Sequence, residues 1–221
     1  MIISFTSSKG GVGKSTCCAA IAARLVQDGD RVLVLDLDYN QTVARWGRKA
    51  KRDGLVVEAV PPDAFTSTFR RRAGDGFDHI LIDLAGTREA TMLKAMARSD
   101  LVIVPAQASE PDLREALVIV DDINDVIEAG ASNLKYRLLL TKLFPLPTRV
   151  TSFAYSEIRR HKLKCFKSSI VERAVYREMF LTGQSPSEVA PKGKAAREID
   201  LLVGEITSLL ATSDDTKGRA A

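Results

Sequence analysis

The sequence predicts an α/β fold, with a doubly wound, mostly parallel sheet covered by helices on both faces. Two observations lead to this prediction. Short apolar runs alternate with longer segments of helical periodicity, and the runs are continuously apolar rather than alternating. Strands of that kind are buried on both faces, as in parallel sheets flanked by helices. Ligands of such sheets bind beyond the carboxyl ends of the strands, so residues that follow the strands are the first candidates for a functional site.

Seven apolar runs are candidate strands, and three long segments have the apolar spacing of helices. The strands are predicted at residues 2–5, 31–35, 56–60, 79–82, 101–105, 137–140 and, weakly, 164–167. The helices are predicted at residues 15–27, 112–129 and 195–210. No internal repeat and no Pro/Gly/Ser-rich linker interrupts this order, which predicts one domain over residues 1–210 and a disordered polar tail over residues 211–221.

Composition is that of a globular protein: 45% of the 221 residues are hydrophobic and 27% are charged, with a net charge of +4. No apolar stretch approaches the ~18 residues that span a bilayer. The first residues lack the basic segment of a signal peptide and run into a glycine-rich loop. Cys17, Cys18 and Cys165 lack metal-site spacing and are predicted to be reduced core residues. We therefore expect a cytoplasmic protein without a membrane partner.

The first predicted strand leads into a glycine-rich loop and then an alanine-rich helix, which is the context of a phosphate-binding P-loop. The loop reads Lys9, Gly10, Gly11, Val12, Gly13, Lys14, Ser15 and Thr16. Glycines let successive backbone N–H groups point at phosphate, and the helix N-terminus adds its positive end. We predict that Lys14 neutralises the β- and γ-phosphates, that Ser15 binds Mg²⁺, and that Thr16 reaches the α-phosphate. A glycine-rich turn with incidental lysines is the alternative.

Carboxylates follow two other predicted strands. Asp36 and Asp38 come after the strand at 31–35, and Asp83 follows the strand at 79–82. A carboxylate there is costly to bury unless it pairs with a cation, and hydrated Mg²⁺ beside a triphosphate is such a cation. A lone acid in this position is more often a helix cap. Two acidic strand ends next to a P-loop favour the metal, and Asp83 is predicted to hold Mg²⁺ through water.

The loop departs from the usual P-loop pattern, because Ser8 replaces its first glycine and Lys9 is an additional lysine. The pattern KGGxGK[ST] resembles the deviant Walker A loop of the ParA/MinD family of P-loop ATPases. The resemblance implies that Lys9 crosses a dimer interface to the partner's nucleotide, as a catalytic residue together with Lys14 and Asp38. It also implies that Asp38 orients the attacking water and that Asp36 lies near the metal.

Other segments extend the resemblance. The stretch 38–50 is similar to small ParA-like partition ATPases, including those of T-DNA transfer systems, although Tyr39 stands where the family has proline. Residues 107–113 resemble the family's dimer-face loop, with Asp112 as the matching acid. The resemblance also implies that adenine rests on the loop around Ile170 and near Thr141. No NKxD motif follows the strand at 137–140, which favours adenine over guanine.

Basic residues are concentrated between positions 149 and 177, where Glu157 and Glu172 are the only acids. This excess predicts contacts to the DNA backbone without reading of bases. The candidates are Arg149, Arg159, Arg160, Lys162, Lys164 and Lys167. A solvated helix surface is the alternative. A second cluster has the same two interpretations and contains Arg45, Arg48, Lys49, Lys51 and Arg52.

Taken with the resemblance, these features predict an ATPase that uses ATP and Mg²⁺, dimerises on ATP and binds the nucleoid nonspecifically. It would position a plasmid, a chromosome or a protein cluster, and a partner of the ParB type would stimulate hydrolysis. A MinD-like ATPase at a membrane surface is the alternative, but no bulky apolar residue follows Leu210 to form an amphipathic anchor. A metabolic P-loop enzyme is a further alternative, and substitution of Lys9 would discriminate it.

Overall fold

Six strands form one sheet in the computed structural model, which describes residues 1–86 and 90–211. The sheet order is β3-β2-β4-β1-β5-β6, and all five pairings between neighbours are parallel. The strands are β1 Ile2–Phe5, β2 Val32–Asp36, β3 Leu55–Ala59, β4 His79–Asp83, β5 Leu101–Gln107 and β6 Lys135–Thr141. The predicted fold class is therefore confirmed. The predicted tail lies, except for Ala211, outside the described residues.

Helices connect the strands and cover the sheet. They are α1 Lys14–Gln27, α2 Thr42–Ala50, α3 Phe65–Arg72, α4 Ala90–Met96, α5 Glu110–Glu128, α6 Arg149–Arg160, α7 Ala174–Thr182, α8 Pro186–Val189 and α9 Lys194–Ala211. Helix α5 begins two residues before its predicted start. The reason is local: Ser109 caps the helix by accepting a hydrogen bond from the Asp112 N–H at 3.2 Å, and Pro111 lies in the first turn.

Two hydrophobic cores lie on opposite faces of the sheet, because alternate residues of each strand point to opposite faces. On one face Leu33 and Leu35 of β2 pack with α3, α4, α5 and α6. On the other face Val32 and Val34 pack with α1, α2, α7 and α9. Apolar residues on both faces explain why the strands are continuously apolar in sequence.

The strand order brings the polar strand ends together. Strand β4 lies between β2 and β1, so Asp83 is the register partner of both Asp36 and Phe5. The P-loop follows β1, and acidic residues end β2 and β4. These groups consequently meet at the carboxyl-terminal ends of the strands, which we call the carboxyl edge of the sheet. Thr141 ends β6, two strands from β1, at the same edge.

The weak strand predicted at residues 164–167 is wrong. This segment makes one isolated parallel bridge to β6, between Leu138 and Cys165. The Glu205 carboxylate then accepts hydrogen bonds from the backbone N–H groups of Lys167 and Ser168, at 2.8 and 2.6 Å. Because these two N–H groups donate to a side chain, they are not available to β6, and the strand pairing does not extend beyond the bridge.

All three cysteines are predicted to be core residues, and this is confirmed for Cys17 and Cys18 but not for Cys165, which is only partly buried. Both are buried in α1, and burial raises the pKa of Cys17 to about 12. Cys165 is half-buried, and all three thiols are free. Within residues 1–86 and 90–211, no helix has the length and apolar character needed to cross a membrane.

Candidate nucleotide-binding site

The loop between β1 and α1 has the backbone of a phosphate cradle. Gly11 and Gly13 have φ values of 79° and 97°, in the left-handed region that side chains disfavour. A Cβ atom at Gly10 or Gly11 would meet nothing within 4 Å, so this side of the loop is open. The open side and the N-terminus of α1 at Lys14 together supply backbone donors to an anion.

Lys14 is buried beneath this loop. Its side chain is 6% exposed, and its Nζ donates to the Ser7 Oγ and to the Lys9 carbonyl oxygen, both at 3.2 Å. Burial lowers the pKa of Lys14, while the carboxylates of Asp83 and Asp38 oppose that shift. The ammonium therefore lies inside the loop, close to two acids, where a phosphate would meet it.

Ser15 and Asp83 are brought together at the strand end. The Ser15 hydroxyl donates to Asp83 Oδ2 at 2.7 Å, and the Asp83 side chain is fully buried. Burial raises the pKa of Asp83 to about 8, against the opposing effects of the Ser15 hydrogen bond and of Lys14. Its Oδ1 has no hydrogen-bond partner among the described residues. An unpaired buried carboxylate oxygen beside a hydroxyl fits a hydrated Mg²⁺.

Asp36 is held by the backbone of the loop that follows it. Its Oδ1 accepts from the Asp38 N–H at 3.1 Å, and its Oδ2 accepts from the Ala44 N–H at 2.8 Å. The side chain is 1% exposed, and burial raises its pKa while these donors lower it. The contact with Ala44 lies in the first turn of α2, so Asp36 makes the capping contact that is the alternative for an acid at a strand end. Its proximity to a metal stays a prediction.

Asp38 lies at the rim of the same edge. Its Oδ1 accepts from the Asn40 N–H at 2.8 Å, and its carbonyl oxygen accepts from the Gln41 N–H at 2.8 Å in a tight turn. Its carboxylate is close enough to Lys14 to raise the pKa of that ammonium. Tyr39, which replaces the proline of the resembling family, is 93% exposed. Asp38 is thus half-buried beside Lys14 and next to an open surface.

Lys9 differs from Lys14 in pointing away from the loop. Its side chain is 47% exposed, and its Nζ lies 3.1 Å from Asp112 Oδ1 at the start of α5. Asp112 is 5% exposed, and its other oxygen accepts from the Ser109 hydroxyl. Ser8, beside Lys9, donates to Glu115 Oε2 at 2.5 Å. Sequence reasoning placed Lys9 and Asp112 on one face but missed their ion pair within the chain.

A cavity of about 300 Å³ adjoins the loop where adenine is predicted. Gly13, Thr16, Thr141 and Ile170 line it, so the structure brings four predicted nucleotide contacts together. The Thr141 hydroxyl donates to the Val12 carbonyl oxygen at 2.7 Å, so this side chain stabilises the P-loop backbone. Other described residues also line the cavity, among them Glu172, and the prediction missed the four that follow it: Arg173, Tyr176, Arg177 and Phe180.

The six predicted DNA-binding residues are all exposed, on α6 and on the segment that follows it. Arg160 lies 3.4 Å from Glu157, and the Lys164 ammonium lies 5.6 Å from the centre of the Tyr136 ring. Within the part of the chain that the structure describes, no side-chain partner is seen for the other four. Arg173 and Arg177 pair with Glu198 and Glu172, so the excess of charge is confined to α6 and residues 162–167.

Comparison with known proteins identifies the family. The model of the VirC1 protein family matches residues 1–187. This chain belongs to the VirC1 family. The chain is 30% identical to the VirC1 protein of Rhizobium radiobacter over 122 residues, covering 52% of this chain, and to that of Rhizobium rhizogenes over 155 residues, covering 67%. It spans 53% and 62% of the lengths of these two relatives.

Other relatives place this VirC1-family chain among ParA-like proteins. It is 24% identical to the chromosome-partitioning ATPase Soj of Thermus thermophilus, over 92% of this chain and 94% of that protein. Its fold matches the structure of apo McdA from Cyanothece with a TM-score of 0.77, at 16% identity, over 92% of this chain and 98% of the other. The ParA-like resemblance predicted from the loop is therefore confirmed.

Proposed function

We propose that this VirC1-family protein is a Mg²⁺-dependent ATPase that dimerises on ATP and positions a cargo on DNA. The observation that carries the proposal is the separation of two lysines on one loop. Lys14 is buried beside Asp38 and Asp83, whereas Lys9 is half exposed on the outer face. A buried cation suits the chain's own nucleotide, and a half-exposed one can reach a second molecule once it leaves Asp112.

The loop binds the phosphates of ATP through groups that now contact one another. Lys14 Nζ exchanges the Ser7 hydroxyl and the Lys9 carbonyl for phosphate oxygens, which are stronger acceptors because they are charged. Backbone N–H groups of residues 10–16 surround the phosphates, with the Thr16 side chain nearest the α-phosphate. Adenine enters the 300 Å³ cavity against Ile170, and the NKxD motif that reads guanine is absent after β6, where the sequence is Thr141, Lys142, Leu143 and Phe144.

Hydrolysis follows from positioning and charge neutralisation, which supply most of the catalysis in phosphoryl transfer. Bound Mg²⁺ would neutralise charge on the phosphates, with Ser15 as a ligand and Asp83 holding its water shell. Asp38 orients the attacking water, because its carboxylate lies at the rim beside Lys14. Asp36 fixes the turn that carries Asp38 through the hydrogen bond from the Asp38 N–H.

Dimerisation requires Lys9 to leave Asp112. Solvent screens the lysine end of this ion pair, and Asp112 keeps the hydrogen bond from the Ser109 hydroxyl when Lys9 leaves. The triphosphate of a second chain carries several negative charges and therefore competes well for the ammonium. Each Lys9 would then contact the nucleotide bound by the partner, which makes the dimer dependent on ATP.

DNA binding is assigned to α6 and residues 162–167. Exposed cations with few acidic partners form phosphate contacts, and such contacts position a protein on DNA without reading its sequence. A dimer carries twice as many of these cations as a monomer. Because the dimer forms only with ATP, DNA binding would then depend on ATP. A partner of the ParB type would stimulate hydrolysis and release, as expected of a positioning ATPase.

Release of inorganic phosphate tests the enzymatic part of the proposal. We expect slow hydrolysis of ATP that EDTA abolishes and that falls by about 10²–10³ in Asp38→Ala, because the water loses its positioning group. Isothermal titration calorimetry should show that Asp38→Ala still binds ATP. Asp125→Ala, which removes an exposed acid on α5, is the matched control and should hydrolyse ATP normally. Normal turnover in Asp38→Ala would overturn the assignment of Asp38.

A further inference from the structure

Helix α2 and the two residues after it carry five basic side chains and no acidic one. They are Arg45, Arg48, Lys49, Lys51 and Arg52, within residues 42–52. The sequence leaves open whether this cluster is a solvated surface or a binding site. The structure separates the five residues into two groups with different environments.

Two of the five attach α2 to its neighbours. Lys49 Nζ donates to the carbonyl oxygens of Phe180 and Leu181, at 2.8 and 3.4 Å. The Arg52 guanidinium donates to the Gly183 carbonyl oxygen at 2.9 Å and to Glu188 Oε1 at 2.9 Å. These contacts hold α7 and α8 against α2, so the two cations have a structural role.

Arg45 and Arg48 form the other group with Lys51. All three are exposed, and in residues 1–86 and 90–211 no hydrogen bond or ion pair is seen for their side chains. Arg45 and Arg48 are one turn apart, a spacing that places side chains side by side on a helix. Like charges at this spacing repel each other, and an anion between them removes that repulsion.

A cavity of about 560 Å³ opens beside these arginines, between α2 and α7. We call it the α2 cavity, and it is lined by Thr42, Arg45, Trp46, Arg48, Lys49 and Phe180. Among the described residues, the lining therefore has three cations and no carboxylate. Its volume lies within the roughly 300–1,000 Å³ of small-ligand sites.

The walls of the α2 cavity are held rigidly. A Cβ atom at Gly47 would lie 2.5 Å from Val57 Cγ2, so α2 is packed closely against β3. A Cβ atom at Gly183 would lie 2.8 Å from the Lys49 backbone carbon, so the end of α7 is equally close to α2. Close packing on both sides fixes the helix from which Arg45 and Arg48 project.

We propose that the α2 cavity is a second phosphate-binding site, distinct from the P-loop, that takes phosphate groups of a polyanion. Paired guanidiniums suit phosphate because their fixed N–H forks match its oxygens. We do not expect the site to recognise bases, because Trp46 is only 1% exposed and, of the lining residues that the structure describes, only Thr42 has a side-chain hydrogen-bond acceptor. The phosphates belong either to a DNA backbone or to a free polyphosphate. This site does not depend on the ATP-driven dimer proposed above.

The α2 cavity also adjoins the nucleotide site. Phe180 lines both it and the 300 Å³ cavity beside the P-loop. Helix α2 begins four positions after Asp38, and its first turn is capped by Asp36. A phosphate bound to Arg45 and Arg48 therefore contacts the same helix whose first turn donates to Asp36 at the nucleotide site.

Trp46 provides a direct probe, because it is the one tryptophan of the chain and lies in the cavity wall. Inorganic tripolyphosphate is titrated into Lys14→Ala protein, in which binding at the P-loop is suppressed, and tryptophan emission is followed. We expect a saturable change that requires at least ~10-fold more tripolyphosphate when Arg45→Ala and Arg48→Ala are added. Arg70→Ala with Arg197→Ala, which removes two exposed arginines elsewhere, is the matched control and should leave the titration unchanged.

A short DNA duplex, followed by fluorescence anisotropy across a salt series with Lys14 intact, distinguishes the source of the phosphate. If DNA is the source, Arg45→Ala/Arg48→Ala should reduce the slope of log K against log salt by about 1.8, for two lost contacts at about 0.9 each. Loss of the tripolyphosphate response alone assigns a free polyphosphate. Wild-type behaviour of the double variant in both measurements overturns the site. Arg45→Gln/Arg48→Gln repeats the test if circular dichroism shows that the alanine variant is unfolded.

Discussion

The P-loop and the basic segment around α6 both present cations to phosphate, but they hold them differently. Lys14 is 6% exposed and has two oxygen acceptors at 3.2 Å, inside a loop whose glycines have left-handed backbone angles. Arg159 and Lys162 are exposed on a helix end and the turn after it. The side chain of a buried, hydrogen-bonded cation is already oriented before its ligand binds. The side chain of an exposed cation is oriented only when the ligand binds.

The largest effect that tests this comparison is expected at Lys14. Lys14→Ala should weaken ATP binding by about 100-fold or more, because removal of one partner from a buried, charge-assisted contact costs about 2–5 kcal/mol. Calorimetric titration of ATP in the presence of Mg²⁺ measures this loss. Lys167→Ala, which removes an exposed lysine from the basic segment, should bind ATP as the wild type does. Equal losses in the two variants would show that burial of Lys14 does not distinguish it.

A smaller and salt-dependent effect is expected for DNA. If an ATP-bound dimer contacts about four phosphates, log K should fall with log salt at a slope of about −3.6. Arg159→Glu/Arg160→Glu should remove most of this binding and leave ATP binding intact. Filter binding with ATP and with ADP measures both the slope and the nucleotide dependence.

Arg70→Glu/Arg197→Glu carries the same change of charge on other helices and is the matched control for that experiment. Its DNA affinity should stay within a few-fold of the wild type. If the two double variants lose affinity equally, net charge rather than the α6 surface explains the binding.

The smallest effect contrasts two arginines of the α2 cluster. Arg52→Ala should lower the free energy of unfolding by about 1–3 kcal/mol, because it leaves the Gly183 carbonyl without its donor and removes the hydrogen bond to Glu188 Oε1. Arg48→Ala should change it by less than about 0.5 kcal/mol, since the residue is exposed and makes no such contact among the described residues. Urea unfolding followed by circular dichroism measures both. A loss in Arg48→Ala as large as in Arg52→Ala would show that both arginines are structural.

The sequence allowed the sheet and the phosphate loop to be predicted because both depend on local patterns. Continuous apolar runs located all six strands to within two residues at each end, and the glycine spacing located the loop. The run at 164–167 was misassigned, because the competing acceptor Glu205 lies far away in the chain and gives no local signal.

Side-chain contacts between segments distant in the chain could not be predicted from the sequence. The Ser15–Asp83 hydrogen bond follows from the strand order, but the pairing of Lys9 with Asp112 depends on where α5 begins. The capping role of Asp36 was considered as an alternative, and only the position of Ala44 relative to its carboxylate favours it. The division of the α2 cluster into attached and free cations depends likewise on α7 and α8.

In the proposed dimer, the two lysines of one loop serve different nucleotides: Lys14 contacts the chain's own ATP and Lys9 contacts that of the partner. The most direct test measures the molar mass of Asp38→Ala by light scattering after gel filtration, with and without ATP. We expect a monomer without ATP, a dimer with ATP, and a nucleotide-bound monomer when Lys9→Ala is added. A dimer that persists in Asp38→Ala/Lys9→Ala, or a monomer in Asp38→Ala with ATP shown to be bound, would contradict the account.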